Sequence, residues 1–201
     1  FDILARQITD PDKVAIETAS GERISYADLA VRTGRMANAL ATLGLRAGDR
    51  VAAQIEKSVE AIVLYLATAR AGGVFLPLNT GFTPAEVAYF LGDAEPAVFV
   101  CDPARFESLK PVAAGARMLT LDADGAGSLT EAALREADAF ATVERTAAVE
   151  LRVARLGLTL GDARGDQHAE AGRERARQAG GAVDREPEEQ RRAPTDAIGE
   201  R

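Results

Sequence analysis

An α/β fold is predicted: a partial parallel sheet with flanking helices and an N-terminal hairpin, followed by a poorly ordered tail. Three observations predict it. Strand-like and helix-like runs alternate over residues 1–142, the signature of βαβ units. The strand-like runs are short, apolar and bounded by Gly, Asp or Pro turns. The composition then changes abruptly: every Phe, Tyr and Lys lies within residues 1–142, whereas residues 143–201 are rich in Arg, Glu and Gly. A charge-rich segment without large apolar groups cannot readily offset the entropy of ordering its chain.

Taken in order, Lys13–Thr18 reads as a strand. A turn at Ser20-Gly21-Glu22-Arg23 leads to a second, short strand at Ile24-Ser25, so the pair is predicted as an antiparallel hairpin at the sheet edge. Ser25 is the expected N-cap of a helix carrying Leu29, Met36, Leu40 and Leu43, with Asp28 completing a capping box and Gly44 stopping the run. The turn Ala47-Gly48-Asp49 opens the strand Arg50–Ile55. Ser58 caps an apolar helix, Val59–Ala71, ended by Gly72-Gly73. The strand Val74–Leu78 follows, and Thr83-Pro84 starts the next helix with a cap and a proline at its first position. Pro96–Cys101 is a buried-type strand. A helix is expected over about 103–114, a strand over Arg117–Leu121 and a last amphipathic helix over Leu129–Ala139. Beyond it, Leu151–Leu160 reads as a short strand or helix, and Ala169–Ala179 as a solvated, salt-bridged helix.

The net charge of -7 argues against nucleic acid as a partner, because phosphate contacts need a basic face. No apolar run approaches the ~20 residues of a membrane span. The first residues carry no basic-then-apolar leader, and the lone cysteine, Cys101, cannot pair within the chain; a cytoplasmic protein is expected. The chain opens on Phe1, so the natural N-terminus is expected upstream.

Three stretches carry a family resemblance. Leu45-Arg46-Ala47-Gly48-Asp49-Arg50-Val51-Ala52 is similar to the "G-D-R-V-A" turn and strand of adenylate-forming enzymes. The run from Leu66 to Asn79 resembles their "L-A-x-x-x-A-G-x-x-x-x-P-L-N" segment. The run from Thr83 to Pro96 resembles a helix that ends in "D-A-x-P" before a strand. Order and spacing match as well, and so does the opening "D-P-D-K-V-A-I". The resemblance covers about residues 1–142. It points to the superfamily of AMP-forming acyl-CoA synthetases, peptide-synthetase adenylation domains and luciferases. The wording "A-G-G-V-F-L-P-L-N-T", "Y-F-L-G-D-A-E-P" and "V-C-D-P" is most similar to malonyl-CoA synthetases. What the resemblance implies is an acid–thiol ligase of fatty acid metabolism. The parent enzyme would use ATP, Mg²⁺ and coenzyme A to convert malonate or a similar carboxylate to its acyl-CoA, with small molecules as its partners.

The departures from the pattern are equally specific. The family's phosphate loop, "Y-T-S-G-T-T-G-x-x-K-G", is expected shortly after residue 145, where backbone N–H groups would approach the triphosphate. This chain reads Val143-Glu144-Arg145-Thr146-Ala147-Ala148-Val149-Glu150 instead, and no such loop follows. The family's catalytic lysine also has no counterpart. Residues 1–142 are therefore expected to be the N-terminal portion of an adenylate-forming domain, with no catalytic residue and no cofactor bound by the chain alone. Residues 143–201 are expected to be an atypical tail, frameshifted or disordered. The alternatives are a non-enzymatic α/β interaction module and the start of a peptide-synthetase adenylation domain.

Of the individual residues, Arg105 is the one cofactor-binding candidate, since the resemblance implies a basic residue near the phosphate of coenzyme A; its bland reading is an exposed loop arginine. Gly72-Gly73 follows a helix and reads as a C-cap rather than a phosphate turn. Cys101 reads as a buried structural thiol. His168, the only histidine, has no carboxylate or cysteine cluster around it, and no metal site is expected. Asp122 and Asp124 read as turn residues. Sheet edges and helix faces that later strands would cover are expected to leave apolar surface available for self-association.

Overall fold

The computed structural model describes residues 7–113, 115–141 and 143. These belong to the first of two units into which the chain divides, Phe1–Leu156; the second, Gly157–Arg201, lies outside the described residues. The expected segments at 151–160 and 169–179, and His168, fall outside them too.

Local signals set most of the elements. Strands β1 (Val14–Glu17) and β2 (Arg23–Ser25) pair antiparallel. Ser25 then caps helix α1 (Tyr26–Thr42) with a complete capping box: its hydroxyl accepts from the Asp28 N–H, and the Asp28 carboxylate accepts from the Ser25 N–H. After α1 the N–H groups of Gly44 and Leu45 return to the Ala41 and Leu40 carbonyls, and Gly44 takes the left-handed φ of 97° that this closure needs. Strand β3 (Arg50–Gln54) follows, and Ser58 caps helix α2 (Val59–Arg70). Gly72-Gly73 closes α2 in the same way, through the Ala69 and Thr68 carbonyls, so the pair is a C-cap. Strand β4 (Val74–Pro77) leads to helix α3 (Pro84–Ala94), which carries a second complete capping box between Thr83 and Glu86.

Each cap is a test of the sequence reading. The Ser25 hydroxyl, then its backbone N–H, holds the Asp28 carboxyl below its ordinary range; the Thr83 backbone N–H, then its hydroxyl, does the same for Glu86. A carboxyl lowered on folding adds stability above its unfolded value, and that stability is lost as pH falls through the folded value. Ser25→Ala is expected to lower stability by about 1 kcal/mol at neutral pH. In thermal denaturation that deficit should narrow as pH falls through the folded-state value of Asp28, which lies below the ordinary carboxylate range.

Strand β5 (Val98–Cys101), the short helix α4 (Phe106–Leu109), strand β6 (Arg117–Thr120) and helix α5 (Ser128–Ala133) complete the described chain. All four strands from β3 onward are parallel, in the order β4-β3-β5-β6. Alternate residues face opposite sides. Val51, Ala53, Val98 and Val100 meet Met36, Leu40, Leu64 and Leu129 from α1, α2 and α5 in one core. Ala52, Phe99 and Cys101 meet Val87, Leu91 and Leu109 from α3 and α4 in the other. The sheet is therefore covered on both faces, as parallel sheets require.

Three expectations need correction. The hairpin does not join the edge of the parallel sheet but forms its own two-stranded sheet. The helix expected over about 103–114 is three short pieces, α4 flanked by 3₁₀ turns at Pro103–Arg105 and Lys110–Val112. Pro111 cannot donate to a helical carbonyl, and Asp102 caps the first turn through the Ala104 N–H. The last helix ends at Ala133 rather than Ala139. Residues 137–140 instead run across α1: the Asn38 amide donates to the Ala137 and Ala139 carbonyls, and Arg35 pairs with Asp138.

Candidate functional site

In an open α/β sheet the crevice outside the carboxyl ends of the strands, where the strand order reverses, is the natural place for a ligand. Here that point lies between β3 and β5, because the chain leaves β3 toward β4 on one side and leaves β5 toward β6 on the other. The last residue of β3 is Gln54, and the turn after β5 carries Arg105.

These two side chains converge on the loop after β4. Gln54 is 1% exposed, and its amide donates to the Asn79 carbonyl at 2.8 Å and the Phe82 carbonyl at 3.2 Å. Arg105 donates through Nη1 to the Thr80 carbonyl at 2.6 Å and through Nη2 to the same Phe82 carbonyl at 2.8 Å. Within the loop the Asn79 carboxamide oxygen accepts from the Gly81 N–H at 2.8 Å, and Phe82 stacks on Phe90 at 5.1 Å. Four loop carbonyl contacts from two conjugated donors fix the backbone between β4 and α3. Gln54 Oε1 is buried with no hydrogen-bond partner among the described residues. Placing a glutamine there carries a cost, which the loop contacts of its Nε2 offset.

Arg105 is half-buried rather than a freely exposed loop arginine, and both terminal nitrogens of its guanidinium engage backbone carbonyls. Sequence reasoning placed it near the right end of the sheet but missed the loop it holds. It missed Gln54 altogether. The available signal was a long polar residue closing an otherwise apolar strand.

Cys101 is fully buried at the end of β5. Burial, and secondarily the charge of Asp102, pushes its thiol up to about 11. Such a thiol stays neutral at physiological pH and has no nucleophilic role. Iodoacetamide at pH 8 is expected to leave Cys101 unlabelled in the folded chain and to label it promptly in urea, as read by intact mass. Labelling at equal rates would show that the thiol is accessible. Asp122 is a turn residue as expected, its carboxylate accepting from the N–H groups of Asp124 and Ala126.

Two cavities flank the N-terminus of α2. One, of about 430 Å³, is polar and lined by Lys57, Glu60 and Asp124, with Arg32 bridging Glu60 at 3.0 Å and Glu22 at 3.3 Å. The other, of about 590 Å³, is apolar and lies along the open edge of β4. Among the described residues no group of three or more His, Cys, Asp or Glu is arranged to hold a metal ion. No described helix is long and apolar enough to cross a membrane.

A family model described as AMP-binding enzyme matches residues 4–192. Among solved structures, ATP-bound MatB from Rhodopseudomonas palustris is 56% identical, with a TM-score of 0.70 over 72% of this chain and 29% of that one. Among sequences, the long-chain-fatty-acid–CoA ligase FadD13 of Mycobacterium tuberculosis is 34% identical over 42% of this chain and 17% of its own length. The phosphinothricin tripeptide synthetase PhsB of Streptomyces viridochromogenes is 35% identical over 56% of this chain and 9% of its own. The chain thus spans less than a third of each of these relatives.

Proposed function

Because the chain belongs to the AMP-binding enzyme family, we propose that it supplies the N-terminal scaffold of an acid–thiol ligase of the malonyl-CoA synthetase type. The observation that carries the reading is the 56% identity to MatB together with a shared fold at a TM-score of 0.70. The parent reaction would join malonate, or a similar carboxylate, to coenzyme A by way of an acyl-adenylate, with ATP and Mg²⁺. The cytoplasm is the expected compartment, fatty acid metabolism the expected context, and nucleic acid an unexpected partner.

The chain by itself is assigned no adenylating chemistry. No segment of it reads as the Gly- and hydroxyl-rich phosphate loop of the resemblance. Residues after about 146 are read as the product of a frameshift or rearrangement, on the ground that residues 143–201 contain no Phe, Tyr or Lys, although the family match runs on to residue 192. Sequencing the gene downstream of codon 142 tests this: a phosphate loop encoded in another frame is expected, and its absence would make the tail a genuine extension.

On the resemblance, Arg105 is read as lying beside the phosphate of coenzyme A; its place after β5 supports this, while its Nη1 and Nη2 also hold the Thr80 and Phe82 carbonyls. In the absence of the rest of the ligase, self-association through uncovered apolar surface is expected. The functional test is direct. The purified chain is incubated with ATP, Mg²⁺, malonate and coenzyme A, and pyrophosphate is measured. Release no faster than in buffer is expected; malonate-dependent release would overturn the scaffold reading.

PhsB favours one alternative, the start of a peptide-synthetase adenylation domain, at 35% identity. The higher identity to MatB argues for the ligase instead.

A further inference from the structure

The β1–β2 hairpin is held at its base and nearly free at its tip. At the base, the Tyr26 and Ala27 N–H groups donate to the Lys13 and Pro11 carbonyls, and Ile24 is buried. The tip bonds to itself. The Thr18 N–H reaches the Glu22 carbonyl, the Gly21 N–H the Thr18 carbonyl, and the Glu22 N–H the Thr18 hydroxyl. Arg23 pairs with Glu17 across the same two strands. Residues 19–23 are all exposed. Among the described residues one polar contact leaves the tip, from Arg32 of α1 to the Glu22 carboxylate at 3.3 Å.

Space, rather than packed side chains, lies behind the tip. Ile16, Glu17 and Thr18 wall the apolar cavity, and Thr18, Ser20 and Glu22 wall the polar one. Thr18 on the hairpin and Ser58 at the start of α2 border both, so the hairpin lies along the seam between the two cavities. A side chain that faces a void forfeits the dispersion contacts that would hold it in place. The ion pair is therefore the main tie, and Arg32 shares itself unequally. Its Nη1 donates to Glu60 at 3.0 Å and its Nη2 to Glu22 at 3.3 Å, yet the Glu60 side chain is 18% exposed and that of Glu22 51%. The loop after β6 crowds Glu60 further, since a Cβ at Gly125 would lie 2.8 Å from its Cγ. Attraction is weaker and better screened at the wetter end. Glu22 is the end that yields, and Arg32 stays with Glu60 when it does.

We propose that the β1–β2 hairpin is a flap, hinged where it joins α1 and latched by the Arg32–Glu22 ion pair, and that its opening joins the two cavities at the start of α2 into one cleft. The flap moves as a unit, because the hydrogen bonds of its tip close within it. It is a property of this chain's own residues and stands independently of the ligase reading.

The test uses the full chain with nitroxide labels at Ser20→Cys, on the tip, and at Asp124→Cys, which lines the polar cavity from the loop after β6. Cys101 is buried and stays unlabelled. The distance between the labels is measured by electron paramagnetic resonance. A dominant short distance with a minor longer one is expected. The longer population should grow about threefold with Glu22→Gln, and to a similar extent in the unsubstituted chain at about 1 M salt, because an exposed pair contributes little and is screened. Glu17→Gln removes an ion pair inside the hairpin and should leave the distribution unchanged. In Glu22→Gln the Thr18 and Gly21 amides should keep their protection from hydrogen exchange, since their partners travel with the flap. A single distance indifferent to Glu22→Gln and to salt would overturn the proposal. So would a Glu17→Gln effect as large as that of Glu22→Gln, or a longer distance that appears only with loss of the Thr18 and Gly21 protection.

Discussion

Gly34→Ala is expected to detach the segment that follows α5 from the face of α1. A Cβ built at Gly34 would lie 1.8 Å from the carbonyl oxygen of Asp138 and 3.0 Å from its carbon. Both are backbone atoms, so no side-chain rotation can relieve the contact. The clash must be met by moving residues 137–140, and that motion breaks the two bonds from Asn38 at 2.7 and 2.9 Å and the Arg35–Asp138 pair. Gly34 is helical, so alanine would otherwise favour α1 by up to about 1 kcal/mol. Overpacking against backbone outweighs that gain, and a net loss of about 2 kcal/mol is expected in urea denaturation. Hydrogen exchange should localise the effect to 134–143. If Gly34→Ala stabilises the chain as helix propensity alone would have it, the close approach of α1 and Asp138 is wrong.

Gln54→Ala is expected to cost more, about 2–4 kcal/mol, because it opens a cavity and leaves the Asn79 carbonyl without its buried donor. The Phe82 carbonyl keeps Arg105, with which Gln54 shares it. Two donors on one acceptor should couple. In a double-mutant cycle, Gln54→Ala and Arg105→Ala should depart from additivity by at least ~0.5 kcal/mol. Gln54→Leu separates the two contributions, since it restores most of the volume but none of the donors. A variant as stable as the parent would show that the loop needs no side-chain donors at its carboxyl-end crevice.

How much of this was legible in the sequence depended on range. The caps Ser25 with Asp28, Thr83 before Pro84, and the glycines at 44, 72 and 73 were read correctly because each is a local transaction closing a helix end over five residues or fewer; the Glu86 partner of Thr83 was added by the structure. The alternation of strands and helices likewise carried the parallel sheet. What failed was set by distant partners. Residues 134–139 have a helical pattern, yet the chain leaves the helix through a turn at 134–136 and crosses α1 at 137–139, where α1, about a hundred positions earlier, supplies the Asn38 and Arg35 contacts. The hairpin's separation from the main sheet is equally a tertiary outcome.

The candidate site follows the same division. Arg105 was singled out from its place after β5, but its grip on Thr80 and Phe82 spans more than twenty residues and leaves no local mark. Buried Arg70 is a parallel case. At 9% exposure, it donates to the Ala30 carbonyl at 2.8 Å and the Thr33 hydroxyl at 2.7 Å, tying α2 to α1. In sequence it looks like an ordinary basic residue near a helix C-terminus.

On the proposed reading, a ligase scaffold is present without a nucleotide site of its own. Calorimetric titration of the purified chain with ATP and Mg²⁺ tests it most directly. No saturable heat is expected up to millimolar nucleotide, whereas stoichiometric binding at micromolar ATP would contradict the claim.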